Sequence, residues 1–123
     1  MKVLIVDDSA IVQERLISML ENQKGIQIVG QAQNGIEALK FIKQHKPNAV
    51  ILDIRMPGGN GIDVLQHIKQ IDPSIKIIMF TNYPYSQYRT KCLESGADYF
   101  LDKSAEFNKI PEIINQIAKA IQE

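Results

Sequence analysis

The sequence predicts an α/β domain in which helices wind around both faces of a five-stranded parallel sheet. Three observations carry this reading. Val3-Leu4-Ile5-Val6, Ala49-Val50-Ile51-Leu52 and Ile77-Ile78-Met79-Phe80 are continuous apolar runs, as strands buried on both faces show. Stretches with helical apolar spacing lie between them. Strand and helix alternate along the whole chain, and that alternation closes into a parallel sheet.

Each element has its own signal. The first strand runs into Asp7-Asp8, and behind it Val12, Leu16, Met19 and Leu20 fall on one helical face. Gln27–Ala32 is more polar and holds Gly30, as an edge strand does. Leu39 and Ile42 follow a capping-box pattern of Asn34 and Glu37. The third strand ends at Asp53. Met56-Pro57-Gly58-Gly59-Asn60-Gly61 reads as a turn into the third helix, and it lacks the Gly-Lys-Ser/Thr of a phosphate-binding loop. That helix carries Val64, Leu65, Ile68 and Ile71 on its apolar face. The fourth strand ends at Thr81. Ser86 to Ser95 is a weaker helix closed by Gly96. Tyr99-Phe100-Leu101 is a short strand leading to Lys103. Ile110, Ile113, Ile114, Ile117 and Ile121 make the last apolar face, with Pro111 near its start. Five such units in succession leave few topologies, and the flavodoxin-like order 2-1-3-4-5 is the expected one.

Size and composition bound the function. The 123 residues, 45% of them apolar, suit one domain spanning 1–123. Fourteen basic and fourteen acidic residues cancel, which excludes a generally basic nucleic-acid binder. The single Cys92 cannot form an intrachain disulfide, so a reducing, cytoplasmic location is expected. No apolar run approaches the roughly 20 residues of a membrane span, and the first run stops too soon for a signal peptide.

The polar residues at the strand ends point to a site. Ligands of open α/β sheets bind outside the carboxyl ends of the strands, where the strand order switches. In the order 2-1-3-4-5 the first and third strands flank that point. Asp7, Asp8 and Asp53 then converge, with Thr81 and Lys103 arriving from the side. At about 4 Å and an effective dielectric of about 20, each carboxylate pair costs about 4 kcal/mol. Either one carboxyl keeps its proton or a cation sits among them. A hard divalent cation such as Mg²⁺ suits oxygen ligands completed by water and phosphate. A phosphoryl group there would meet the cation, the Lys103 ammonium and the Thr81 hydroxyl. A carboxylate beside the metal can act as nucleophile and form an aspartyl phosphate. The arrangement alone does not say which Asp does so.

With these residues in place, the chain resembles a receiver domain of a two-component response regulator, of the chemotaxis-regulator kind. The resemblance rests on Leu4-Ile5-Val6-Asp7-Asp8, Leu52-Asp53-Ile54-Arg55-Met56-Pro57, Thr81, and Gly96-Ala97-Asp98 followed by Lys103. It covers the whole chain. It implies that Asp53 accepts a phosphoryl group from a sensor histidine kinase or phosphotransfer protein. Asp8, Asp53 and the Arg55 backbone carbonyl would hold Mg²⁺, and Asp7 would hold metal-bound water. Thr81 and Lys103 would contact the phosphoryl group. Phe100 is similar to the aromatic switch that turns inward as Thr81 moves. The fourth helix, fifth strand and fifth helix would carry output to a partner, with pairing of two copies a family tendency. The resemblance implies a switch and not an enzyme, with no direct nucleic-acid or membrane binding by this chain. The sequence ends after the fifth helix, so a stand-alone receiver is expected, with an excised one as the alternative, since Arg55 to Gly61 resembles receivers that often carry a DNA-binding domain.

Departures from the family pattern carry expectations. Ser104 follows Lys103 where many receivers have Pro, and a cis bond without proline costs about 3 kcal/mol. The isomer of that bond is left open. Asn82 follows Thr81 where the family has a smaller residue, so slow uptake from small donors is expected. In the family it resembles, the positions of Arg55 and Tyr83 flank the path of attacking water, and both side chains here are bulky, so slow self-dephosphorylation is expected. Arg55 could also pair with phosphate or with a carboxylate.

Bland roles compete at several positions. Asp7-Asp8 before Ser9 could cap the first helix, but Asp53 and Lys103 at neighbouring strand ends favour a site. His45 and His67 are too separate for a metal pair, and Cys92 reads as a packing residue. Tyr83, Tyr85 and Tyr88 read as a partner surface ahead of partial core. Two other functions compete. One is a binding module that works without phosphorylation. The other is a Mg²⁺-dependent phosphatase of the haloacid dehalogenase kind, which needs Asp-x-Asp where this chain has adjacent acids.

Overall fold

The apolar runs form one sheet in a computed structural model that describes residues 1–122. Glu123, the last residue of the expected domain 1–123, lies outside the described residues. The strands are β1 (Lys2–Val6), β2 (Gln27–Ala32), β3 (Ala49–Leu52), β4 (Lys76–Thr81) and β5 (Tyr99–Asp102). All pair in parallel, in the expected order β2-β1-β3-β4-β5. The helices are α1 (Ala10–Leu20), α2 (Gly35–His45), α3 (Gly61–Ile71), α4 (Ser86–Glu94) and α5 (Ile110–Gln122), the last entered through a 3₁₀ turn at Phe107–Lys109.

Strand alternation divides the core into two layers. Leu4, Val6, Val50, Leu52, Ile77 and Met79 face the layer that holds Ala38 and Ile42 of α2, Leu65 and Ile68 of α3, and Cys92 of α4. Val3, Ile5, Ala49, Ile51, Ile78 and Phe80 face the layer of α1 and α5, with Leu16, Leu20, Ile110, Ile114 and Ile117. These side chains are almost wholly buried, and each large one stabilises the fold by about 1.5–3 kcal/mol. Two residues expected on the apolar faces differ. Ile71 and Ile121 are 40% and 47% exposed, each in the last turn of its helix.

β2 is one of the two edge strands, paired only with β1. Its register steps from Val3↔Ile28 to Leu4↔Gly30, passing over Val29 as a bulge does. Glycine at position 30 leaves room for the Phe41 ring of α2, which a Cβ there would push aside. The capping pattern of α2 forms as read. Asn34 accepts from the Glu37 N–H at 2.9 Å, and Glu37 reaches back to the Gln33 N–H.

The turn expected at 56–61 contains a hairpin. Arg55–Met56 pairs antiparallel with Gly59–Asn60. Pro57-Gly58 occupies its centre, and the positive φ of Gly58, 75°, suits the third position of a type II turn. Asn60 then caps α3 by accepting from the Ile62 N–H at 2.8 Å.

Asp98 fastens the start of β4 to α3. Its carboxylate accepts from the Ile77 N–H at 2.9 Å and lies 3.2 Å from the Lys69 ammonium and 3.8 Å from that of Lys76. Among the described residues, no helix is long and apolar enough to cross a membrane.

Candidate functional site

The site residues are set by hydrogen bonds that carry the strand ladders one residue further. The Asp7 N–H donates to the Ala32 carbonyl at 3.0 Å, and the Asp53 N–H to the Val6 carbonyl at 3.0 Å. The Lys103 N–H donates to the Thr81 carbonyl at 2.9 Å. Each residue is thereby held at the carboxyl edge of the sheet, with Asp7 and Asp53 flanking the switch between β1 and β3 and the Lys103 side chain reaching them from beyond β5.

The expected acidic cluster forms. Asp7, Asp8 and Asp53 each offer a carboxylate oxygen within 4.8 Å of the others. Asp7 and Asp53 are buried and Asp8 is exposed. Lys103 reaches both buried carboxylates, with its ammonium 2.5 Å from Asp7 and 3.0 Å from Asp53. Asp53 also accepts from the Ile54 N–H at 2.7 Å through its other oxygen. The first-helix cap falls to Ser9, which accepts from the Val12 N–H at 3.3 Å. Asp7 accepts in turn from the Ser9 N–H at 2.9 Å, so it serves both the loop and the cluster.

One ammonium between two buried carboxylates leaves negative charge in the cleft. Burial pushes the Asp53 carboxyl above its ordinary value and the Asp7 charge adds to this, against the opposing pull of Lys103. For Lys103, burial is the largest influence and lowers its affinity for the proton. The hydrogen bond to Asp7 and the two carboxylate charges together outweigh it, and the ammonium is held above the usual lysine value. Three hard oxygen donors, two of them sharing a single ammonium, fit a divalent cation of the Mg²⁺ kind.

Thr81 is fully buried, and its hydroxyl oxygen accepts from the Tyr83 N–H at 2.9 Å. The hydroxyl proton remains for another acceptor. Asn82 beside it is exposed. The Lys103–Ser104 bond is trans, since the described residues contain no cis peptide. Ser104 instead donates its N–H to the Asp102 carboxylate at 2.9 Å, and Lys103 still reaches both acids.

Three placements differ from the neighbouring cluster. Phe100 is buried in the apolar layer beneath α4, with the Arg89 guanidinium 5.8 Å from its ring centroid. Arg55 pairs with no carboxylate within 4.0 Å among the described residues. Its guanidinium lies 3.8 Å from the Tyr83 ring centroid and donates to the Tyr88 hydroxyl at 3.2 Å. Of the three tyrosines, Tyr85 is 53% exposed while Tyr83 and Tyr88 are half-buried, Tyr88 against the core. His45 and His67 are exposed as expected, and Cys92 is buried.

Sequence reasoning missed Gln13. Its buried amide donates to the Asp7 carbonyl at 2.5 Å and to the Ala32 carbonyl at 3.1 Å. It thereby ties together the ends of β1 and β2 beneath the acidic pair. The available signal was a polar residue at helical spacing from buried Leu16 and Leu20.

A family model for the response regulator receiver domain matches residues 3–115. The chain is 32% identical to the response regulator GacA of Pseudomonas aeruginosa over 116 residues, 94% of this chain and 54% of GacA. It thus spans about half the length of that relative. It is 35% identical to the chemotaxis protein CheY of Thermotoga maritima over 118 residues, 96% of this chain and 98% of CheY. Among solved structures it resembles a chain of the CheX–CheY–BeF3–Mg²⁺ complex of Borrelia burgdorferi, with a TM-score of 0.78 and 31% identity. That likeness covers 92% of this chain and 88% of the other. With its sheet order, its acidic cleft and the matched span in agreement, the chain belongs to the response regulator receiver domain family.

Proposed function

We propose that this chain is a phosphoryl-accepting switch, with Asp53 as the acceptor and a sensor histidine kinase or phosphotransfer protein as the donor. The observation that carries this reading is the Lys103 ammonium held between Asp7 and Asp53 at the mouth of the sheet. An Asp53 oxygen attacks phosphorus as the P–N bond of the phosphohistidine breaks, and the imidazole leaves with the electron pair and takes up a proton. Lys103 neutralises one phosphoryl oxygen, and the Thr81 hydroxyl donates its proton to another.

Asp8, Asp53 and the Arg55 carbonyl would hold Mg²⁺, with Asp7 acting through a water. When bound, Mg²⁺ offsets charge on the transferred oxygens. The Mg²⁺ and BeF3 of the Borrelia complex support this assignment by likeness. Asp7 and Asp53 are held by backbone N–H donors, so the ligands are positioned in advance. Phosphorylation then shifts the surface of α4, β5 and α5 toward a partner. Phe100 is the aromatic group of that switch, and pairing of two copies belongs to the same surface. Self-dephosphorylation is slow, because Arg55 and Tyr83 stack together two residues beyond Asp53 and Thr81. A cytoplasmic location belongs to the same reading.

The test is intact mass after incubation with Mg²⁺ and phosphoramidate, repeated with a phosphohistidine donor. The expected result is a gain of one phosphoryl group, lost without Mg²⁺ and lost in Asp53→Asn. An unchanged mass with both donors would overturn the reading and leave a module that binds without phosphorylation.

A further inference from the structure

We propose that Arg55 is a second phosphoryl-responsive group, tied to Tyr88 of α4 in the unmodified chain and drawn from it when Asp53 is phosphorylated. This rests on Asp53 as the acceptor and adds a route from that site to α4.

The starting point is a cation without an anion. Arg55 stands two residues after Asp53, yet no carboxylate lies within 4.0 Å of it among the described residues. Its partners are neutral: the Tyr83 ring face and the Tyr88 hydroxyl. A hydrogen bond to an ionised oxygen is about twice as strong as one to a neutral group, and guanidinium matches phosphate with two parallel donors. A phosphoryl group on Asp53 brings such oxygens to the neighbouring strand end. The guanidinium then exchanges the phenol for phosphate.

The other end of the tie lies on a lightly fastened helix. The N-cap of α4 is Tyr85, which makes no side-chain capping bond. Tyr83, Tyr85 and Tyr88 form a chain of rings, with centroids 6.2 and 5.7 Å apart, and Arg55 touches both ends of it. Tyr88 also packs on the apolar layer that contains Cys92 and Phe100. Release of its hydroxyl therefore acts on the first turn of α4 directly. Phe100 has no hydroxyl and is only 6% exposed, so it has no comparable bond to trade.

The experiment is NMR of the full chain labelled with ring-¹³C tyrosine and uniform ¹⁵N, with beryllofluoride and Mg²⁺ as the phosphoryl probe. The Tyr88 signal is identified by its loss in Tyr88→Phe. In the parent chain, the probe is expected to move this signal to its position in Arg55→Ala without probe. In Arg55→Ala, the probe should leave it in place. A Tyr88 shift of equal size in Arg55→Ala would overturn the proposal. So would an unmoved Tyr88 signal in a parent whose Thr81 amide shifts, and the acceptor reading would then stand. If no signal of the parent responds, as in Asp53→Asn, the acceptor reading fails and this proposal falls with it.

Discussion

Lys103 and Asp53, fifty positions apart in the chain, meet at 3.0 Å with side chains only 7% and 8% exposed. The same ammonium also serves Asp7, so two buried carboxylates share one cation.

That sharing sets a pH dependence. Burial, joined by the Asp7 charge, raises the Asp53 carboxyl above 3.8, its value in the unfolded chain. A raised acid contributes stability below the unfolded value and loses it as pH rises through the folded value. At neutral pH the ionised Asp53 therefore weighs against folding. Asp53→Asn is expected to melt higher than the parent at pH 7 in EDTA. The gap should close as pH falls toward 3.8 and narrow when Mg²⁺ is added. A lower Tm for the variant in EDTA at pH 7 would contradict this account.

Gly61 starts α3 directly against the backbone of Asp53. A Cβ there would overlap the Asp53 carbonyl oxygen and crowd the Ile54 Cα. Neither atom can move without shifting the strand end. Gly61→Ala is expected to cost about 1–3 kcal/mol or more in urea unfolding and to reduce phosphoryl uptake. A change within about 0.5 kcal/mol would mean that the strand end yields freely.

Gln13→Leu keeps the volume and removes the donor shared by the Asp7 and Ala32 carbonyls. The Ala32 carbonyl keeps the Asp7 N–H, while the buried Asp7 carbonyl loses the Gln13 donor, at a cost of about 1–3 kcal/mol. Because Asp7 and Asp8 follow that junction, Mg²⁺ affinity should also fall. Calorimetric titration checks the second effect, and unchanged affinity in a destabilised variant would limit Gln13 to packing.

Cys92 should be nearly inert. Burial pushes its thiol from 9.0 up to about 11, so thiolate at pH 8 is roughly 100-fold scarcer than in the unfolded chain. Iodoacetamide should label it slowly in buffer and rapidly in urea. The linked stability is present below about pH 9 and is lost as pH rises through about 11. Rapid labelling of the folded chain at pH 8 would show that α4 opens readily.

Much of the fold and the acidic cluster was legible because the signals are local. A run such as Val3–Val6 states its burial by composition, and the residue after it must emerge at the sheet edge. Asp7, Asp53, Thr81 and Lys103 could thus be placed from strand ends alone. Asp98 was read only as part of a motif. Its physical role, holding the Ile77 N–H and the Lys69 ammonium, depends on α3 lying beside β4.

The sequence by itself determined the alternation of strand and helix, narrowed the sheet order to an expected 2-1-3-4-5, and placed three acids and one lysine at the strand ends. Periodicity and the rule for strand order are enough for these, since both follow from backbone geometry. Only the tertiary structure decided which partner each side chain took. Arg55 stacks on Tyr83 and bonds Tyr88 across 33 positions, and Gln13 bridges two strand ends. Lys103 reaches both acids through a trans bond to Ser104. These pairings join segments distant in sequence, and their geometry exists only after the layers have packed.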